Sequence, residues 1–219
     1  MLRNIYGEDP SFYTLYLIVR SGDRDFYILQ HKRKSMNIQY PELGICGLSC
    51  RLCPSYHIEG KSKCGGCKSD FRMQAGCPFI TCALKKKGLE FCWQCEESVT
   101  CEKWSAHRNF SHEHDTFVCY QKLEDNVAAI KTDGIDAFTA SQKERERLLL
   151  NMLYNYNEGR SKRYYCIAAT VLEIAELQEA LTRADTLSSG LPLKEKSQVL
   201  HTILDEVAVQ QGYRLKLRK

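Results

Sequence analysis

Ten of the twelve cysteines in this 219-residue chain stand between positions 46 and 101: Cys46, Cys50, Cys53, Cys64, Cys67, Cys77, Cys82, Cys92, Cys95 and Cys101. Thiols at that density hold a segment in shape either as disulfides or as metal ligands, and the redox compartment decides which. The best candidate for an export signal, Phe12 to Val19, is short and interrupted by Thr14. It runs into Arg20, Asp23, Arg24 and Asp25, with no small-residue cleavage site after it. No apolar stretch is long enough to span a membrane. We therefore expect a cytoplasmic protein whose thiols stay reduced and are gathered to hold metal.

Three C-x-x-C pairs sharpen that expectation: Cys50/Cys53, Cys64/Cys67 and Cys92/Cys95. Two intervening residues let a tight turn bring both sulfurs to one ion, and two such pairs complete a tetrahedral site. Glycines beside the thiols, such as Gly65 and Gly66, suit the turns this requires. The simplest first site is Cys50, Cys53, Cys64 and Cys67, and a reasonable second is Cys82, Cys92, Cys95 and Cys101. Cys46 and Cys77 are left over, to swap in, bridge two ions or join a histidine in a third site.

The same stretch holds Gly44, Gly47, Pro54, Gly60, Gly65, Gly66, Gly76 and Pro78, which excludes a run of long helices. Its apolar residues, among them Leu48, Leu52, Tyr56, Phe79, Leu84, Phe91 and Trp93, are too few to make a core alone. A structural zinc ion contributes about 10–16 kcal/mol in small peptides, as much as a domain's whole net stability. Residues 36–120 are expected to be a small metal-stabilised module with little regular structure.

The formal net charge of +4 would by itself suggest a nucleic-acid partner. Metal-bound cysteines are thiolates, however. Two zinc ions with four thiolates each carry a net charge of about −4, which cancels the surplus. Nucleic-acid binding is thus not supported, and a protein partner is the open alternative.

On either side of the module the texture differs. In residues 1–35, Phe12 to Arg20 and Phe26 to Lys32 have strand composition around a Ser21-Gly22-Asp23 turn signal, so a hairpin fits. An extension ahead of a natural start at Met36 fits equally. Residues 121–219 read as all-α. A first helix covers Gln121 to Lys131. A second opens at Ser141 as a capping box with Glu144, presents Leu148, Leu149, Met152, Leu153 and Tyr156, and stops at Gly159. A third, capped by Ser161, carries the stripe Ile167, Val171, Ile174, Leu177 and Leu181. A last one carries Val199, Leu200, Ile203, Leu204 and Val207 and ends at Gly212, before a basic tail from Arg214 to Lys219.

Cys46-x3-Cys50-x2-Cys53 is also the spacing with which radical S-adenosylmethionine enzymes hold a four-iron cluster. Those enzymes need most of a β/α barrel after the motif, and the chain after Cys53 is too short and too helical. The ferredoxin run C-x2-C-x2-C-x3-C-P is absent. Zinc is the expected metal, with an iron–sulfur cluster as the alternative.

Taken together, the string Cys46-Gly47-Leu48-Ser49-Cys50-Arg51-Leu52-Cys53-Pro54-Ser55-Tyr56, then Lys63-Cys64-Gly65-Gly66-Cys67, Cys77-Pro78-Phe79-Ile80-Thr81-Cys82-Ala83 and Lys87-Gly88-Leu89-Glu90-Phe91-Cys92-Trp93-Gln94-Cys95, resembles the domain of unknown function 3795 family. The similarity extends to Cys119-Tyr120-Gln121-Lys122-Leu123-Glu124 and Gly159-Arg160-Ser161-Lys162-Arg163-Tyr164-Tyr165-Cys166, which leaves out the first 35 residues. The resemblance implies a cysteine-rich metal-binding protein of archaeal or anaerobic bacterial type, without an assigned activity. Many relatives have proline before the last clustered cysteine, where this chain has Thr100, which puts in doubt the local turn at Cys101.

His107, His112 and His114, with Cys119 beyond, offer ligands for a mixed site. Their polar surroundings, Arg108, Asn109, Ser111, Glu113 and Asp115, read more simply as a solvated connection. His57, just past Pro54, is a similar outside candidate. Cys166 stands near Arg160, Lys162 and Arg163 at a helix start, which would favour a reactive thiolate and a redox role; the simpler reading is a small apolar residue on the inner face. Lys85-Lys86-Lys87 reads as a solvated helix end. No catalytic carboxylate pair, nucleophile motif or phosphate loop is present, so the expected role is binding rather than catalysis.

Overall fold

The computed structural model describes residues 12–21, 24–33, 38–74 and 76–219. Strands β1 (Phe12–Ser21) and β2 (Arg24–Arg33) pair antiparallel, with Ser21 opposite Arg24 and Phe12 opposite Arg33. Gly22, Asp23 and Met36, on which the expected turn and the alternative start depend, lie outside the described residues.

The remainder is mostly helical. Helix α1 (Asp70–Gln74) and α2 (Glu102–Glu113) lie within or just after the cysteine stretch; α3 (Leu123–Asp133), α4 (Ile135–Asn155), α5 (Lys162–Val171), α6 (Ile174–Leu187) and α7 (Leu193–Gln210) follow. Short 3-10 turns at Cys50–Leu52, Gly60–Ser62, Cys92–Gln94 and Glu96–Val99, and a π-helical stretch at Ile80–Lys86, join α1 as the helical structure between residues 38 and 101. Among the described residues no helix is long and apolar enough to cross a membrane.

Two helix boundaries differ from the sequence reading. Helix α4 starts at Ile135, not Ser141, because Gly134 at φ +88° breaks the chain there and Phe138 is buried with Leu43, Phe91 and Ile130. Ser141 and Glu144 therefore sit inside a helix, and Glu144 pairs with Arg147 at 2.7 Å. The single helix expected over Ile167 to Leu181 is two. Leu172 is extended, and the Glu173 N–H donates to the Glu176 carboxylate at 2.8 Å to start α6. The buried Arg145 donates to the carbonyls of Ala169 and Leu172, which satisfies the end of α5.

The largest core lies among α4, α5, α6 and α7 and buries Leu149, Met152, Tyr165, Leu177, Leu200 and Leu204. Leu52, from the middle of a C-x-x-C pair, is buried in this same core. Arg51 beside it pairs with Glu42 and with Glu146 of α4. The cysteine loops and the helices thus share one apolar interior. Two smaller clusters lie under the loops, around Leu43 and Phe91 and around Ile45, Ile80 and Leu84.

The basic tail is strapped down. Asp115, whose side chain is fully buried, receives the Arg218 guanidinium at 3.0 Å, and the Asp115 N–H donates to the Arg218 carbonyl at 2.9 Å. The Arg214 N–H donates to Gln121, and Leu215 is buried.

Candidate metal centre

Local backbone chemistry sets out the sulfurs. Leu43 and Ser49 face each other in an isolated antiparallel bridge, and the Gly44 N–H donates to the Leu48 carbonyl at 2.8 Å, so Cys46 rides at the tip of a tight loop. Gly47 turns that loop at φ +94°; a Cβ there would come within 3.1 Å of Val127 and 3.2 Å of the Trp93 ring. The next turn is closed by the Cys53 N–H donating to the Cys50 carbonyl at 3.0 Å. Gly66, at φ +98°, lets the second pair come alongside: a Cβ would meet the Pro41 carbonyl at 3.0 Å and Cys50 Sγ at 3.6 Å. The Cys67 N–H then donates to Cys50 Sγ at 3.3 Å. In the third pair the Cys95 N–H donates to the Cys92 carbonyl, and the Cys92 N–H to the Ile45 carbonyl, at 3.2 Å each, which draws Cys92 toward the Cys46 loop.

Lys68 pins the arrangement from behind. Its ammonium is buried, donates to the Tyr40 carbonyl at 3.1 Å and to Glu90 at 3.0 Å, and sits 3.9 Å from the centre of the Phe91 ring.

All twelve cysteines are free thiols. Cys46, Cys50, Cys53, Cys64, Cys67 and Cys77, joined by Cys119 and Cys166, line one cavity of about 360 Å³. Cys82, Cys92, Cys95 and Cys101 do not line it. The cavity wall thus takes in the first set drawn from spacing, together with Cys46 and Cys77, and none of the second. Cys77 and Cys92 both pack against the Ile45, Ile80 and Leu84 cluster. Cys95 turns outward, where the Lys87 ammonium lies 3.1 Å from its sulfur and 2.8 Å from Glu97. Cys101 precedes α2 in extended conformation, after a Thr100 whose hydroxyl donates to the Glu97 carbonyl at 3.4 Å.

Burial pushes the Cys46 and Cys92 thiols up to about 12 and raises Cys53 and Cys119. Cys50 and Cys67 share a hydrogen bond that raises the first and brings the second down to about 7. A lone thiolate is therefore disfavoured at most of these positions, and a divalent cation is what would offset the cost.

Cys166 takes the simpler of its two readings, the buried inner-face residue. It is 1% exposed, and burial pushes its thiol up to about 12, with Lys162 acting weakly against that shift. The helix start and its cations do not make a reactive thiolate, because desolvation outweighs them and Lys162 is turned to the His57 carbonyl at 3.0 Å. The histidines correct one expectation. His107 and His112 lie on α2 rather than in an irregular connection, His112 is exposed, and His114 caps the helix end stacked on Phe110. His107 is half-buried on the cavity wall. The sequence offers His107 and Cys119 as ligands of a mixed site, though their surroundings read more simply as a solvated connection; both line the cavity.

The donor set fits a thiophilic metal by its chemistry, since sulfurs and one imidazole line the cavity and no Asp or Glu does. Two buried polar atoms there, Ser49 Oγ and His107 Nε2, have no hydrogen-bond partner. Among the described residues, no three His, Cys, Asp or Glu side chains stand ready to hold an ion as placed. No family model, no curated protein and no solved structure matches the chain.

Proposed function

We propose that this chain is a cysteine-rich, zinc-binding protein of the cytoplasm, in which the metal shapes residues 38–120 and the resulting surface serves as an interaction module. The observation that carries the reading is the convergence of free cysteines, from separated stretches of chain, on one cavity that also takes in Cys119, just ahead of α3, and Cys166 of α5. Thiolates buried this closely are costly unless a cation gathers them. Cys50, Cys53, Cys64 and Cys67 would hold one ion and Cys82, Cys92 and Cys101 a second, with Cys95 swinging in from Lys87. When bound, zinc supplies charge neutralisation and cross-linking; a site closed by four thiolates has no open position for Lewis-acid chemistry. The resemblance to the domain of unknown function 3795 family points the same way. The strapping of Arg218 to Asp115 weighs against a free basic tail for nucleic acid.

A second reading, an iron–sulfur centre, draws on one specific observation. The cavity, about 360 Å³, is larger than a single ion with four sulfurs requires, and Cys46, Cys50 and Cys53 all line it.

The test is folding. Zinc added to the reduced, chelator-stripped chain is expected to restore the fluorescence of Trp93 and Trp104, which both lie in the cysteine region, in a saturable titration. A stripped chain whose tryptophans are already native and unresponsive to zinc would refute the proposal.

A further inference from the structure

His107 occupies a position that the metal reading does not explain by sulfur alone. Its ring is boxed by Phe79 at 4.9 Å, Trp104 at 5.9 Å and Tyr120 at 5.2 Å between ring centres. Its Nε2 is buried and has no hydrogen-bond partner among the described residues. Buried polar atoms are rarely left so, and an imidazole nitrogen in that state is accounted for by a missing water, hydrogen-bond partner or ion. Packing alone would be served as well by phenylalanine.

The surroundings favour an ion. Phe79 follows Cys77 by two residues, and both Phe79 and Tyr120, which flank the His107 ring, line the cavity that Cys46 and Cys77 line. Cys46 and Cys77 belong to no C-x-x-C pair and line the same cavity as His107. These are the two sulfurs that a pair of four-thiolate sites leaves unused.

We infer that His107 is a metal ligand and that, with Cys46 and Cys77, it forms a mixed nitrogen–sulfur centre on the cavity wall, separate from the four-thiolate sites. The inference rests on the metal-binding reading and deepens it. Imidazole and thiolate together suit zinc, and the absence of carboxylate from the wall disfavours magnesium or calcium. No three donors in the described residues stand ready as placed, so the ion draws them together on binding. Three protein ligands leave a fourth coordination position, which the four-thiolate sites lack.

Cobalt(II) reports both count and ligand type. The reduced full chain is titrated with cobalt without air, as wild type, H107F and H107C. Phenylalanine keeps the aromatic packing and removes the nitrogen; cysteine replaces nitrogen with sulfur. The expected result is one fewer cobalt per chain in H107F, or at least about 100-fold weaker binding of one ion. H107C is expected to keep the wild-type count while the visible d–d envelope moves to longer wavelength. The same count and spectrum in H107F as in wild type overturns the inference, as does an unshifted spectrum in H107C should H107F fail to fold. A wild-type chain that takes up no cobalt fails the underlying metal reading instead.

Discussion

Leu52 offers the sharpest mechanical test, because it belongs to a C-x-x-C turn yet is buried in the helical core, 6% exposed. Leu52 lines the cysteine cavity together with Cys166 of α5, so Leu52→Ala enlarges that space at the foot of the helical core. A buried Leu→Ala change of this kind costs about 3 kcal/mol. With a urea dependence of about 2 kcal/mol per molar, the midpoint falls by about 1.5 M. Two probes separate the halves of the molecule: fluorescence of Trp93 and Trp104 reports the cysteine region, and far-ultraviolet circular dichroism reports α3 to α7. Because the leucine bridges both, the two transitions are expected to move together. A shift seen by dichroism alone, or by neither probe, would refute the claim that the cysteine loops are seated in the helical core.

Three further outcomes follow from the geometry. Arg145→Met leaves the Ala169 and Leu172 carbonyls without their donor and is expected to cost about 2–4 kcal/mol in the same urea assay; a loss within error would show that the α5–α6 break does not depend on it. Gly66→Ala forces a side chain into positive φ, 3.0 Å from the Pro41 carbonyl, and should cost about 2–3 kcal/mol and weaken zinc uptake, as read by competition with a colorimetric chelator. Burial works to raise the Asp115 carboxyl, but hydrogen bonds from Arg218 and the Tyr120 N–H outweigh it and hold it below the usual carboxylate range. The folded state therefore binds this proton less readily than the unfolded one. The stabilisation is complete above about pH 4 and is lost as pH falls through the folded value, so Asp115→Asn should flatten the acid limb of a urea-midpoint profile.

The sequence made the cysteine pairing legible because C-x-x-C is a local device: the turn that aligns two sulfurs is written in adjacent residues, and Gly66 marks where one pair must slide past another. The apolar stripes of α6 and α7 were legible for the same reason, since a helix face repeats within a few residues. What was not legible depended on distant partners. The start of α4 moved to Ile135 because Phe138 packs on Leu43 and Phe91, far away in the chain. Cys166 could be read from its basic neighbours as activated or from its apolar ones as an inner-face residue, and only its burial decides for the second. His107 reads as a solvated histidine because its box, from Phe79, Trp104 and Tyr120, is assembled from three separate stretches.

The account stands or falls on metal. Elemental analysis and a visible spectrum of protein purified without air address it most directly. The account predicts roughly two or more zinc ions per chain and no visible absorption band, in keeping with thiolate sites of about four ligands each. A chain that carries no metal, with all ten clustered cysteines freely titratable in the folded state, would contradict it; iron and sulfide with a visible band would replace zinc by the cluster reading.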